Sequence, residues 1–432
     1  MSTKAQVPTV ETMQTGIKVG IKSLTPSTSC APPPADPQAP ANRLPLGAAV
    51  VLATGLDAFV WLRFGAQPGI YLILGLALGW ALYHSRFGFS AAWQRLVTVG
   101  NGEGMRAQAL MLATVASVVA LLSVTGATLF GSTPTPTDNP IGPALVLGAV
   151  LFGTGMQLAG SCATGTLFAV GTAQLTILPS LAAFIAGELF YTWAYPVLGR
   201  IPAGTGVLLS DLVGWPGSWG ITIGLLGAVY VATLVIQRRH LPPPVELPPS
   251  AQGLSRLLRG SWRVYTGAVV LGLLAGLVFL VSGKTWGAAN AFALWGAKIL
   301  QSFGLHPEAW EYWRVSDQAA DLHHPALADR TSLTNFGIMI GAAAAAAAAG
   351  AWKLSSRVPA RTLLAALLGG FMMGIGTRLT NGCNIGAFIG GISSGSVSGW
   401  IWGACAIAGT ALGVRLRPFF GLNTPKPMDG IC

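Results

Sequence analysis

Ten stretches of this chain are apolar for about 20 residues each, the length a helix needs to cross the hydrocarbon core of a bilayer. They cover residues 45–62, 68–84, 105–130, 142–160, 176–198, 217–237, 264–282, 333–351, 361–380 and 397–416. Inside lipid every backbone N–H and C=O must find its partner within the protein, so single segments of this length are helices. Four further stretches, 87–99, 162–173, 286–303 and 383–394, are apolar but shorter, with glycine at their edges. Irregular backbone at membrane depth is tolerated only against protein or a wet cavity, so these are expected to enter the membrane and turn back.

Composition agrees with a polytopic membrane protein: 52% of residues are hydrophobic and only 9% charged, where soluble domains carry about 25% charged residues. The net charge of +11 would suit a nucleic-acid partner, but its placement argues for topology instead. With a cytoplasmic N-terminus, all of the 25 Lys and Arg residues except Arg63, Arg200, Lys284, Lys298, Arg314, Arg330 and Arg378 fall on the inner side. That bias is the positive-inside pattern and puts both termini in the cytoplasm of a cell with this protein in its inner (plasma) membrane. No signal-peptide pattern is read at the N-terminus. Five scattered cysteines are a poor framework for disulfides.

The proline-rich "RRHLPPPVELPPS" at 238–250 divides the chain. The expected organisation is a disordered tail over 1–43, a first transmembrane repeat over 44–237, a linker over 238–262, a second repeat over 263–417 and a tail over 418–432. By symmetry the span 217–237 belongs with the second half. A constant shift pairs Gly153 with Gly374, Gly155 with Gly376, Leu158 with Leu379, Cys162 with Cys383 and Gly165 with Gly386. An odd number of spans per half makes such repeats inverted. The fold class is thus an all-α polytopic membrane protein, an inverted repeat of about five transmembrane helices each plus short re-entrant helices, hourglass-like. Cys162 would enter from the cytoplasm and Cys383 from outside, to meet near the bilayer midplane.

The paired motifs are "GSCATG" (Gly160, Ser161, Cys162, Gly165) and "NGCNIG" (Asn381, Gly382, Cys383, Asn384, Gly386). Each turns at glycine and starts a short helix, so exposed amides and the positive end of the helix dipole point inward from both sides and favour an anion. Cysteine adds a soft sulfur and a weak donor. Conduction favours several weak sites over one tight site, so hydrogen bonding without covalent trapping is the preferred role. The alternative for a buried cysteine is plain packing, which is the reading for Cys405. Asn381 and Asn384 can donate to an anion, or serve turn geometry. Arg378, one turn before Cys383, can attract anions or reach the outer headgroups. Glu188, mid-span in "AGELFYTW", is a candidate proton-coupling group or the partner of an interhelical donor. Lys298 in "LWGAKIL" would line the outer vestibule or be solvated at its rim. The acidic and histidine residues around Asp317, Asp321, His323 and His324 form a solvated loop face rather than a metal site.

The doubled G-x-G...C-x-x-G pattern, with "WGAAN...LWGAKIL" at 286–300, resembles the YeeE/YedE family of sulfur-compound membrane transporters over about residues 45–417. The resemblance implies uptake of thiosulfate or a related sulfur or selenium species through an hourglass-shaped protein. Its cysteine relay falls on Cys162 and Cys383. Thiosulfate transporters of that family use a further cysteine on an earlier segment, where "SRFGFSAAW" has Ser90. No cofactor, metal or catalytic residue is expected, and no ATP-binding loop motif is present, so a gradient or consumption of the substrate inside would drive transport. The expected partners are a small sulfur-containing anion, membrane lipid and a cytoplasmic sulfur-acceptor protein, with no nucleic acid. The competing classes are a membrane thiol-disulfide oxidoreductase, which the absence of C-x-x-C disfavours, and a non-transporting scaffold subunit.

Overall fold

The computed structural model describes residues 39–242, 253, 255–260, 262–316, 319–355 and 359–424. Cys30, Cys432, Asp317, most of the expected tails and about half of the expected linker lie outside them. Among the described residues there is no β-strand, and ten helices are long and apolar enough to cross a membrane. In chain order the first half holds α1 (Arg43–Phe64), α2 (Ala66–Ser85), α3 (Phe89–Val99), α4 (Glu103–Thr125), α5 (Pro143–Ala159), α6 (Ala163–Gly171) and α7 (Leu178–Trp193). The second holds α8 (Leu209–His240), α9 (Val264–Ser282), α10 (Asn290–Ser302), α11 (Arg330–Ala348), α12 (Ala360–Leu379), α13 (Asn384–Ser393) and α14 (Val397–Leu416).

Most spans agree with the sequence reading to within a few residues. In α8 the span expected over 217–237 is preceded by a short helical stretch from Leu209, and the two are separated at Gly214, whose backbone is non-helical (φ 69°, ψ 170°), just before Pro216. The expected span 105–130 stops at Thr125, where Gly126 takes a left-handed conformation.

Burial sorts the helices. The most apolar stretches of α1 and α8 are only 11% and 17% buried, against 72% for α11 and for the stretch from α5 through α6. Leu44, Val51 and Leu62 on α1, and Leu212, Val231 and Val235 on α8, face outward. That largely apolar surface suits lipid tails. The inner layer is α2, α4, α5, α7, α9, α11, α12 and α14, with the short α3, α6, α10 and α13 tucked against it.

Packing partners come in matched pairs. α2 packs on α11 as α9 packs on α4; α12 packs on α7 as α5 packs on α14; α1 packs on α11 as α8 packs on α4; α6 packs on α11 as α13 packs on α4. α5 meets α12, and α2 meets α9, each pairing like with like. Small residues make these approaches possible, since lipid supplies no hydrophobic drive between helices and close van der Waals packing must do the work. A Cβ on Gly153 would lie 2.1 Å from the Ala406 carbonyl oxygen of α14, and one on Gly374 would lie 2.5 Å from the Phe184 carbonyl oxygen of α7.

Candidate functional site

Two hairpins build the site in the same way. α5 ends at Gly160 in the left-handed region (φ 79°), and the chain extends through Ser161 to Cys162, the residue that opens α6. α12 ends at Thr380, Asn381 takes the left-handed turn (φ 52°), and the chain extends through Gly382 to Cys383, which opens α13. Both cysteines have extended backbone, φ −89° and −85°. Each carbonyl accepts the first bond of its helix, from the Thr166 N–H and the Ala387 N–H, both at 2.8 Å. Gly382 is required here, because a Cβ would sit 2.7 Å from the Ala387 nitrogen. α13 opens as a π-helix over Asn384–Gly390.

The two thiols are free and buried, with 3% exposure for Cys162 and none for Cys383. They lie within electrostatic reach of one another. The backbone N–H groups of Thr164 and Gly165 face the Cys162 sulfur. Those of Ile385 and Gly386, together with that of Ala289 just before α10, face Cys383. Two sulfurs are therefore surrounded by helix-start amides, a field that favours negative charge. Gly386 borders open space, for a Cβ there would meet no atom within 4 Å.

The Asn384 amide lies against the Cys162 thiol. It is fully buried, and apart from that contact with the thiol neither its nitrogen nor its oxygen has a hydrogen-bond partner among the described protein groups. Its counterpart in the first motif is Ala163. Thr164, also buried, has an unpartnered hydroxyl.

Glu188 and Arg378 join across α7 and α12. The Arg378 Nη2 lies 3.3 Å from Glu188 Oε2, both side chains being buried. The same carboxylate oxygen accepts from the Ala293 N–H at 2.9 Å. Arg378 also donates to the Tyr312 hydroxyl at 2.8 Å and to Asn290 Oδ1 at 3.0 Å. Of the two readings of Arg378, reaching the outer headgroups is overturned: the side chain is held in the interior by a carboxylate, an amide and a phenol. Glu188 is also close enough to Cys383 to act on it electrostatically. The position equivalent to Arg378 is Gln157, whose amide donates to the backbone and hydroxyl oxygens of Ser90, each at 3.3 Å. Ser90, buried at the start of α3, donates in turn to the Met156 carbonyl.

Lys298 is not a free vestibule charge, because its Nζ donates to the Leu322 carbonyl. Asn381 is exposed and serves the turn, while Cys405 lies apart on α14, partly exposed. Among the described residues no group of histidine, cysteine and carboxylate side chains could hold a metal ion. Sequence reasoning missed Gln157, Thr164, Asn290 and Tyr312. Gln157 had a signal, since the shift that pairs the cysteines also pairs it with Arg378. Tyr312 had none, lying in a segment without a counterpart in the first half.

The sequence model of the family described as sulphur transport (Sulf_transp) matches residues 84–412. The probable transporter YedE of Escherichia coli strain K12 is 30% identical over 161 residues, 37% of this chain and 39% of that protein. The thiosulfate transporter TsuA of Spirochaeta thermophila is 26% identical over 351 residues, 76% of this chain and 93% of the relative. TsuA of Escherichia coli strain K12 is 25% identical over 353 residues, 76% of this chain and 89% of the relative. The match thus spans about two-fifths of YedE but most of TsuA.

Proposed function

The chain belongs to the sulphur transport family, and from that premise we propose that it takes up a small sulfur-containing anion, thiosulfate or a related species, across the inner membrane. The substrate passes between Cys162 and Cys383 at a narrow neck, each thiol offering a weak, rapidly exchanged hydrogen bond. The observation that supports this reading most is a pair of buried free thiols from separate hairpins, within electrostatic reach of one another and each backed by helix-start amides. Open space beside Gly386 supports a passage at that point. The matched packing of α2 with α11 and α9 with α4, and of α12 with α7 and α5 with α14, supports an inverted repeat whose axis runs through the neck. The similarity to TsuA along most of its length supports thiosulfate as the first substrate to try.

The test is uptake of radiolabelled thiosulfate by vesicles holding the purified full-length chain. Cys162→Ala and Cys383→Ala are expected to abolish uptake while leaving expression and thermal midpoint near wild type, because a small buried side chain is exchanged for a smaller one. A Cys383→Ala protein that transports at the wild-type rate ends the reading. Turnover that leaves a Cys162–Cys383 disulfide, trapped by alkylation, would replace it with the thiol oxidoreductase.

A further inference from the structure

We infer that Asn384 reads the oxygen atoms of the transported anion, so that the neck is selective for sulfur oxyanions over bare hydrosulfide. The inference rests on the transport reading above and names the substrate class of that same site. Its starting point is a cost. A buried amide with neither atom bonded is destabilising, and such groups are rare in native proteins unless something outside the protein completes them. Asn384 is fully buried, its amide lies against the weakly accepting Cys162 thiol, and apart from that contact neither amide atom has a partner among the described residues.

Asymmetry sharpens the point. The two hairpins share their turn, their extended cysteine and their amide-lined helix start. Packing alone would be served by the same small residue at both positions after cysteine. The first hairpin has that residue, Ala163, and the second has Asn384. Of the two positions after cysteine, the one on the Cys383 hairpin therefore carries an amide, and it reaches across to the Cys162 thiol.

The chemistry follows from what each group can recognise. A thiol offers one weak donor and suits a polarisable sulfur, whereas an amide N–H₂ offers two ordinary donors that suit oxygen. An anion with both sulfur and oxygen at its surface, such as thiosulfate, satisfies both kinds of group at once. Sulfite does so in part. Hydrosulfide has a single sulfur and no oxygen, so it cannot meet the thiol and the amide at once, and sites built around a buried hydrogen-bonding group reject the analogue that cannot pair with it.

The experiment compares wild type with Asn384→Ala, as purified full-length protein titrated with thiosulfate, sulfite and hydrosulfide, and as vesicles given radiolabelled thiosulfate. In the variant, Kd for thiosulfate and sulfite should rise about tenfold or more, with a matching fall in thiosulfate uptake, while Kd for hydrosulfide does not rise. The thermal midpoint of the ligand-free variant should equal or exceed that of wild type, because an orphaned buried amide has been removed. A lowered midpoint would assign Asn384 to holding the hairpin and overturn the inference. So would an equal loss for all three anions, no loss for any, or wild-type protein that binds hydrosulfide as tightly as thiosulfate. Wild-type vesicles that take up no thiosulfate would sink the transport reading itself.

Discussion

Charge placed inside a membrane protein has to be answered locally, and Arg378 illustrates how. Its guanidinium meets the Glu188 carboxylate, the Tyr312 hydroxyl and the Asn290 carbonyl oxygen, so the pair is nearly neutral as a unit. Removing one partner leaves an uncompensated buried charge, which costs about 3–5 kcal/mol, whereas replacing both by apolar groups of similar size is often neutral. Glu188→Leu should therefore destabilise the protein by about that amount, and Arg378→Met likewise. The double variant Glu188→Leu/Arg378→Met should recover much of the loss, which unfolding in mixed micelles would measure as a coupling between the two sites. Additive losses would mean that the ion pair contributes nothing. Sequence alone had the two charges but not their union. Glu188 and Arg378 lie on α7 and α12, and only the packing of those helices, through Gly374 against α7, brings them together.

At the scale of elements, hydropathy determined nearly everything about the spans, because lipid leaves a long apolar segment only one backbone conformation. Their ends were less legible where a second short helix abuts a span, as the stretch from Leu209 does before the break at Gly214. The π-helical start of α13 was not legible at all, since one extra residue in a turn leaves no mark on an apolar pattern. The doubled motif was legible through its glycines, and those glycines are also where packing can be tested. Gly153 and Gly374 occupy equivalent places and each sits against a neighbouring carbonyl, at 2.1 Å and 2.5 Å for an added Cβ. Gly224 on α8 would meet nothing within 4 Å. Overpacking a tight contact costs about 1–3 kcal/mol. Gly153→Val and Gly374→Val should thus both lower the thermal midpoint in detergent, by similar amounts, and Gly224→Val should leave it close to wild type. Unequal losses at the first two positions would argue that the matched helix pairs are not equivalent.

For the whole molecule, the remaining question is which way it faces, and the arginines and lysines argue it from outside the core. Most of them fall in segments that share one side if the N-terminus is cytoplasmic, and moving such charges across a membrane is the costly step in insertion. The same assignment runs α12 outward from the cytoplasm, so that its end at Asn381 opens to the outer vestibule while Lys353, ahead of α12, stays inside. Both residues are exposed, so each can be replaced by a reporter. In a background with Cys30, Cys405 and Cys432 changed to serine, a membrane-impermeant maleimide added to intact cells should label Asn381→Cys. It should label Lys353→Cys only after the cells are opened. The buried Cys162 and Cys383 thiols should stay unlabelled in folded protein and serve as the internal control. The reverse pattern would turn the molecule over in the membrane, and with it the direction from which the anion first meets Cys383.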